Sequence, residues 1–391
     1  MRETKNSAII GVGLSKIGKF PETPVTSLMV DAFCNAILNA KSDIREIDAL
    51  IVCSTLVESN FMTAHRLAYF LGISGQLSSC YTVDVGGAGP VSGLILANDL
   101  LVSGRAKNVA VVAGDKVGSL SGRELVLKAN SKINHPLYPK DDPSLPVIPI
   151  LYNSIAQWHM DSYGTTREQL AMVAVLMSIQ ASRHPNALNR KVLTLDEALS
   201  SRKVASVTNV LECARPADGA GAVIVSSEFS ALNNPVYVRG CGEGVGCPYP
   251  QREIFEDMFS VGRATKIALS DARLRVEDID WFGIYDCFPI CFLKFLEDAG
   301  LVPVGLGGQW IEEFYDNYTE MSAPDDFPVN THGGLLSFGA PWEAPAMFSI
   351  IEAVEQIRGV AKGRQVTNPH SALVYGNGGI FTSSSVVILS N

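Results

Sequence analysis

Three short stretches of the chain hold side chains able to move protons beside a bound molecule. Tyr285-Asp286-Cys287-Phe288-Pro289 sets a phenol, a carboxyl and a thiol almost side by side. Asn330-Thr331-His332-Gly333-Gly334 joins an amide to an imidazole, and Gly339-Ala340-Pro341 follows it closely. Phenol, thiol and imidazole are the groups general acid–base chemistry uses. Two glycine-rich turns accompany them, VDVGGAGPVSG around Gly86 and Gly87, and Tyr375-Gly376-Asn377-Gly378-Gly379. Such turns admit a ligand close to the backbone and offer it N–H donors, although glycine turns are common. Plainer readings stand beside these. Tyr285 also suits a core aromatic with a satisfied hydroxyl, and His332 a loop residue bonded to backbone. His65, His135, His159, His184 and His370 show no partner pattern and read as surface or capping residues.

The elements that must position these residues occur twice. Residues 42–53 read SDIREIDALIVC and residues 274–285 read LRVEDIDWFGIY; at an offset of 232, Ile47-Asp48 falls on Ile279-Asp280. In the same register Ala32, Ala36 and Ala40 fall on Ala264, Ala268 and Ala272. Small residues every fourth position predict a helix face lying close on something flat. Val91–Val102 reads as a helix stopped at Ser103-Gly104, with a strand at Asn108–Ala113 after it. Ala344–Arg358, Gly359 and Ala372–Tyr375 repeat that order. Helices alternating with buried strands predict an α/β fold with a mostly parallel sheet covered on both faces. Two such units predict a pseudo-twofold, five-layered α/β/α/β/α sandwich. Residues 121–197 do not repeat and read as an inserted loop domain, a polar proline-bearing stretch followed by a helix over Arg167–Arg183. The N-terminal half then spans 1–120 plus 198–230, closed by a strand at Ala220–Ser226, and the C-terminal half spans 231–391.

With 391 residues, 47% of them hydrophobic, the chain can bury one large core or two medium ones. A net charge of -9 argues against bulk nucleic-acid binding. The apolar runs are strand-sized, so no membrane span is expected, and MRETKNSAIIGVG lacks an apolar core of signal-peptide length. A cytoplasmic location is the expectation. The eight cysteines are scattered through apolar segments, unlike a disulfide framework. Cys287 and Cys291 have no second pair or histidine cluster near them, so no metal site is expected.

The motifs resemble the thiolase superfamily, and within it the sterol-carrier-protein thiolase branch, along almost the entire chain. GVGLSKIGKFPETPVTSL, YGTTREQLAMVAV, LECARPADGAGAVIVSS, YDCFP and NTHGGLLSFGAP carry the resemblance. It implies the thiolase fold, a homodimer, and an acyl-CoA substrate in which coenzyme A is part of the substrate, with no covalently bound cofactor. The family's nucleophilic cysteine falls here on Gly86 or Gly87, depending on a one-residue gap. Cys80, six or seven residues upstream, reads as a buried structural thiol. The branch's His-Asp-Cys-Phe has become Tyr285-Asp286-Cys287-Phe288, which keeps the acid/base cysteine as Cys287 and puts a phenol where the histidine stood. Gly-His-Pro has become Gly339-Ala340-Pro341. The resemblance makes Tyr285, Cys287 and His332 the candidate catalytic residues. Gly86, Gly87, Asn330, Gly339, Gly378 and Gly379 become oxyanion or substrate-binding positions, and Lys128, Lys132 or Lys140 candidates for the coenzyme A phosphates.

Three functions are compatible with those losses. The first is carbon–carbon bond cleavage, the retro-aldol reaction of a β-hydroxyacyl-CoA, which needs a base, an oxyanion site and an acid but no acyl-enzyme. Lyases resembling this chain work with a small OB-fold/zinc-ribbon protein and use a second tyrosine near the Gly-His-Pro position. Ala340 stands there here, between Phe338 and Trp342. The second is an acyltransferase or thiolase with Cys287 or Cys80 as nucleophile. The third is an inactive subunit that binds acyl-CoA or scaffolds a partner. An apolar lining from Leu151, Trp158 and Met160 in the insertion would suit a bulky acyl group.

Overall fold

The computed structural model describes residues 7–58, 61–247 and 253–391. Part of the opening stretch MRETKNSAIIGVG lies outside them. The first half runs β1 (Ala8–Leu14), α1 (Val25–Ala40), β2 (Ala49–Cys53), α2 (Thr63–Leu71), β3 (Ser79–Val83), α3 (Gly89–Val102) and β4 (Asn108–Lys116). A helical excursion follows: α4 (Gly122–Ile133), α5 (Val147–Tyr163), α6 (Arg167–Ser182) and α7 (Leu195–Ser200), then a small ribbon of β5 (Lys203–Ala205) and β6 (Thr208–Asn209). Strand β7 (Asp218–Ser226) returns to the sheet. The second half runs β8 (Val236–Val245), α8 (Val261–Ala272), β9 (Trp281–Gly283), α9 (Pro289–Asp298), α10 (Gly307–Asn317), α11 (Pro345–Ile357), β10 (Ser371–Gly378) and β11 (Ser383–Ser390).

The strand order β3-β2-β4-β7-β1-β8-β11-β10-β9 shows the internal repeat directly. Read outward from the middle, β1-β7-β4-β2 on one side mirrors β8-β11-β10-β9 on the other. The halves meet where β1 pairs antiparallel with β8 through Ala8–Tyr237 and Ile9–Val236. Helices α3 and α11 pack between the half-sheets, and α1 and α8 cover their outer faces. This is the layered thiolase fold.

The alanine ladder has the physical cause its spacing suggests. A Cβ on Gly11 would stand 2.3 Å from the Ala36 carbonyl oxygen, and one on Gly13 2.2 Å from that of Ala32. Gly240 and Gly242 of β8 meet the Ala268 and Ala264 carbonyls at 2.2 and 2.1 Å in the same way. Each outer helix therefore lies directly on the backbone of a strand. The repeated aspartates match as well. Asp48 accepts the backbone N–H groups of Lys107 and Asn108 at the head of β4 (2.9 and 3.2 Å). Asp280 accepts those of His370 and Ser371 at the head of β10 (2.8 and 3.0 Å).

The excursion is tied down by buried charge. His159 of α5, fully buried, bonds Thr165 at 2.8 Å and Glu297 of α9 at 3.0 Å. Lys294, also buried, pairs with Glu256 at 2.7 Å. Buried ions need such partners, because an unpaired one costs several kcal/mol of lost hydration, on the order of ~5. The first tie holds α5 against α9, and the second braces α9 itself. No helix of the described residues is long and apolar enough to cross a membrane.

Candidate active site

A cavity of about 950 Å³ opens between the excursion and the strand ends. Its apolar wall comes from α4 and the first turns of α5, including Leu125, Val126, Ile133, Val147 and Ile148. Its floor is the turn before α3, the turn before α11, and the segment after β9. Leu151, Trp158 and Met160 do not line it; they sit on the parts of α5 turned to the core.

At the floor the two glycines of the β3–α3 turn, Gly86 and Gly87, face different neighbours. A Cβ on Gly87 would lie 2.0 Å from the Tyr285 hydroxyl oxygen and 2.6 Å from the Asn377 carbonyl oxygen. Gly87 is outside the left-handed region, so crowding alone excludes a side chain. Gly86, at φ +61°, instead faces the backbone of Gly378 and Gly379. The phenol of Tyr285 thus fills the space that a side chain on the β3–α3 turn would take. Burial and the neighbouring Cys287 push its pKa well above 10, so the ring stays a neutral O–H donor. No described residue hydrogen-bonds that hydroxyl.

Two long-range ties aim the segment carrying Tyr285. The Asn330 amide bonds both backbone groups of Ile284, accepting its N–H and donating to its carbonyl, each at 2.8 Å. Asp286, fully buried, accepts the Leu335 N–H at 2.8 Å and so joins the YDCFP and NTHGG segments. Gly334 has to be glycine beside it, since a Cβ would meet the Asp286 carboxylate at 2.2 Å. Burial raises the Asp286 pKa to about 7, against the pull of those N–H donors.

Of the residues singled out from the sequence, the cavity brings together Gly86, Gly87, Tyr285, Cys287 and Gly379. The Cys287 Sγ lies 3.5 Å from that of Cys291. Four others stand elsewhere. Asn330 is consumed in holding Ile284. His332 is buried behind Phe338, their rings 5.3 Å apart, where burial lowers its pKa to about 4. Gly339 packs on Ala217 and Ile17, and Gly378 presses on the Val85 carbonyl. Their closeness in sequence to lining residues did not reveal which way the turns face. Cys80, half-buried in β3, is away from the cavity. Lys132 is at its mouth, paired with Asp84 at 2.6 Å, whereas Lys128 and Lys140 do not line it. His135, His159 and His184 are buried rather than on the surface; His135 and His184 cap short turns at Leu137 and Asn186.

Two lining residues have no sequence signature. Tyr152 reaches in from α5, stacked on Phe288 at 4.7 Å. Its hydroxyl donates to the Gly379 carbonyl at 2.6 Å and accepts from Asn377 at 2.9 Å. Glu343, beside the Gly339-Ala340-Pro341 turn, accepts the Ser54 hydroxyl at 2.9 Å and the Trp342 indole N–H at 3.2 Å. Burial and the charge of Asp84 raise its pKa to about 7. Among the described residues His184, Glu352 and Glu355 cluster as metal ligands would, but Arg364 occupies both carboxylates.

A five-layered repeat fold with its pocket at the two central helix N-termini defines a thiolase-like protein. Residues 250–391 match the thiolase C-terminal domain-like family. An acetyl-CoA acetyltransferase of Methanothermobacter thermautotrophicus is 29% identical over 393 residues, 99% of this chain and all of that one. Bovine sterol carrier protein 2 is 30% identical over 60% of this chain, which spans 44% of it. The solved structure of an Ltp2-ChsH2(DUF35) aldolase superposes at a TM-score of 0.81 with 23% identity, covering 99% of this chain and 98% of that one. The chain therefore has the thiolase fold and is similar over nearly its whole length to an acetyl-CoA acetyltransferase, and over part of it to sterol carrier protein 2.

Proposed function

We propose that the protein is an acyl-CoA enzyme of the thiolase family that cleaves a carbon–carbon bond by the retro-aldol reaction of a β-hydroxyacyl-CoA. The carrying observation is the Tyr285 hydroxyl, 2.0 Å from where a Gly87 Cβ would stand: a neutral phenol in place of a nucleophile. In the reaction the β-hydroxyl loses its proton, the Cα–Cβ bond breaks, and its electrons form the thioester enolate. Tyr285 then delivers a proton to Cα. The products are a ketone or aldehyde and a shortened acyl-CoA, and no covalent intermediate is required. Gly86, Gly87 and Gly379 line the cavity at the start of α3 and the second glycine-rich turn, where main-chain N–H groups would suit a thioester enolate. Coenzyme A enters as part of the substrate, and Lys132, Arg202 and Lys203 at the cavity rim suit its phosphates. The apolar wall and the volume of the chamber favour a bulky acyl group.

The working unit is a homodimer joined to a small OB-fold/zinc-ribbon protein. Strand β3 supports the first contact: it is an edge strand of half-exposed residues with only β2 beside it. The likeness in fold to the Ltp2-ChsH2(DUF35) aldolase supports the second. Light scattering on the purified chain is expected to give twice its 42.0 kDa mass.

The test is incubation with a panel of β-hydroxyacyl-CoA esters and detection of the released carbonyl compound. Tyr285→Phe should lower the rate about 10²–10⁴-fold, the usual worth of a positioned proton carrier. Binding of these esters without carbonyl release would sink the reading. A second reading, acyl transfer through Cys287, is favoured by that thiol's place in the cavity wall. Acyl adducts on Cys287 after incubation with acetyl-CoA, read by mass spectrometry, would replace the first reading with this one.

A further inference from the structure

The retro-aldol reading leaves the base unnamed. Tyr285 is a donor, and the position before Pro341 is the inert Ala340. Among the described residues lining the cavity there is no histidine, and the carboxyls are Asp84 and Glu343. Asp84 is half-exposed and tied to Lys132 at 2.6 Å.

We propose that Glu343 is the general base that takes the β-hydroxyl proton, held in place by Ser54 and Trp342. This rests on the lyase reading. The carboxylate is buried, yet it lines the chamber, and both its oxygens are fixed. Oε2 accepts the Ser54 hydroxyl at 2.9 Å and Oε1 the Trp342 indole at 3.2 Å. Oε2 also lies 3.8 Å from where a Cβ on Gly89 would stand. Tyr285 meets the same turn at Gly87, so acid and base flank one short run of glycines at the cavity floor. The backbone supports the assignment. Trp342 sits at φ +49°, a left-handed conformation costly for a bulky aromatic, on the order of ~1–3 kcal/mol. That strained geometry aims its indole at Glu343.

The proton inventory closes. Glu343 gains a proton from the β-hydroxyl and Tyr285 loses one to Cα. Transfer from the Glu343 carboxyl to the phenolate, directly or through water, restores both.

The charged and titratable groups around Glu343 are Asp84, which raises its pKa, Lys132, which lowers it, and Cys53 and Tyr285, neutral neighbours that feel its charge. With burial added, the carboxyl titrates at about 7. A base must be ionised to act, so activity should rise with pH through that value.

The experiment measures carbonyl release from the β-hydroxyacyl-CoA panel against pH. Glu343→Gln keeps shape and hydrogen bonds, and should lower kcat about 10²–10⁴-fold with KM changed only a few-fold. Glu343→Asp should recover part of the loss. Ser54→Ala removes a bond that lowers the Glu343 pKa, so the rising limb should move to higher pH. Wild-type turnover with Glu343→Gln within about threefold of it, on the scale of a base's usual worth, would overturn the assignment and leave the lyase reading intact. No carbonyl release by wild type would take down both. If thermal melts show Glu343→Gln unfolded, the Ser54→Ala profile decides: a limb that stays in place overturns the proposal.

Discussion

The two central helices begin at turns of opposite character. Helix α3 is entered through Gly86-Gly87-Ala88-Gly89-Pro90, and α11, its partner in the repeat, through Pro341-Trp342-Glu343-Ala344-Pro345. Both carry proline in the first turn, where a missing N–H costs nothing. One turn is stripped to backbone, and the other carries an aromatic and a carboxylate. The repeat thus preserves a scaffold while its two copies divide the work. The bare turn makes room for the phenol of Tyr285. The loaded turn supplies charge across from it. A pocket built this way takes bare backbone from its first half and its phenol and buried carboxyl from the second.

The most direct way to break that contrast is to put a side chain back. Gly87→Ala places a methyl group 2.0 Å from the Tyr285 hydroxyl. Overpacking of this kind costs about 1–3 kcal/mol, and displacement of the phenol should reduce turnover at least as far as Tyr285→Phe does. Adding Tyr285→Ala should restore part of the stability, so a thermal double-mutant cycle would show coupling of about 1 kcal/mol or more. Additive effects would mean that the two positions do not share one space.

The loaded turn can be tested through stability. The folded pKa of Glu343 is raised to about 7 from an ordinary 4.5. Its contribution is therefore fully present below the unfolded value and is lost as pH rises through about 7. Glu343→Gln, with nothing to ionise, should gain up to about 3 kcal/mol over wild type at pH 8 and almost nothing at pH 4. The same variant loses activity, so stability and function would separate at one residue. Equal melting curves at both pH values would show that the carboxyl is not held protonated.

Tyr152 joins the excursion to the second glycine-rich turn. Tyr152→Phe strands the Gly379 carbonyl and the Asn377 amide, at an expected cost of about 1–3 kcal/mol in urea unfolding. The smallest effect on chemistry belongs to His332. It lies outside the cavity, so His332→Gln should keep turnover within about threefold, far below a proton carrier's worth. Its folded pKa is depressed to about 4 from 6.5. The stability it contributes is present above 6.5 and is lost as pH falls towards 4. Over that window the wild-type Tm should drop more steeply than that of the variant.

Much of the scaffold is legible in the chain, because its spacing rules are local. An alanine at every fourth position predicts a closely packed helix face, and the Ile47-Asp48 and Ile279-Asp280 pairs mark the same joint in both halves. The candidate site is legible only in part. The motifs that single out Tyr285 also single out Asn330 and His332, yet one is consumed by the Ile284 backbone and the other is turned behind Phe338. A residue's presence in a motif does not fix which face of a turn it occupies. Glu343 and Tyr152 carry no signal at all, since a single glutamate before alanine or a tyrosine in an apolar helix is unremarkable by itself.

The sequence by itself determined that the fold is doubled, from residue types at fixed spacing, and that the turn before α3 holds glycines and no cysteine, serine or threonine. Only the tertiary structure decided that a phenol occupies the space beside Gly87, and that a carboxylate more than two hundred and fifty residues away flanks the same turn. Such facts depend on distances between distant segments, and no local pattern records a distance.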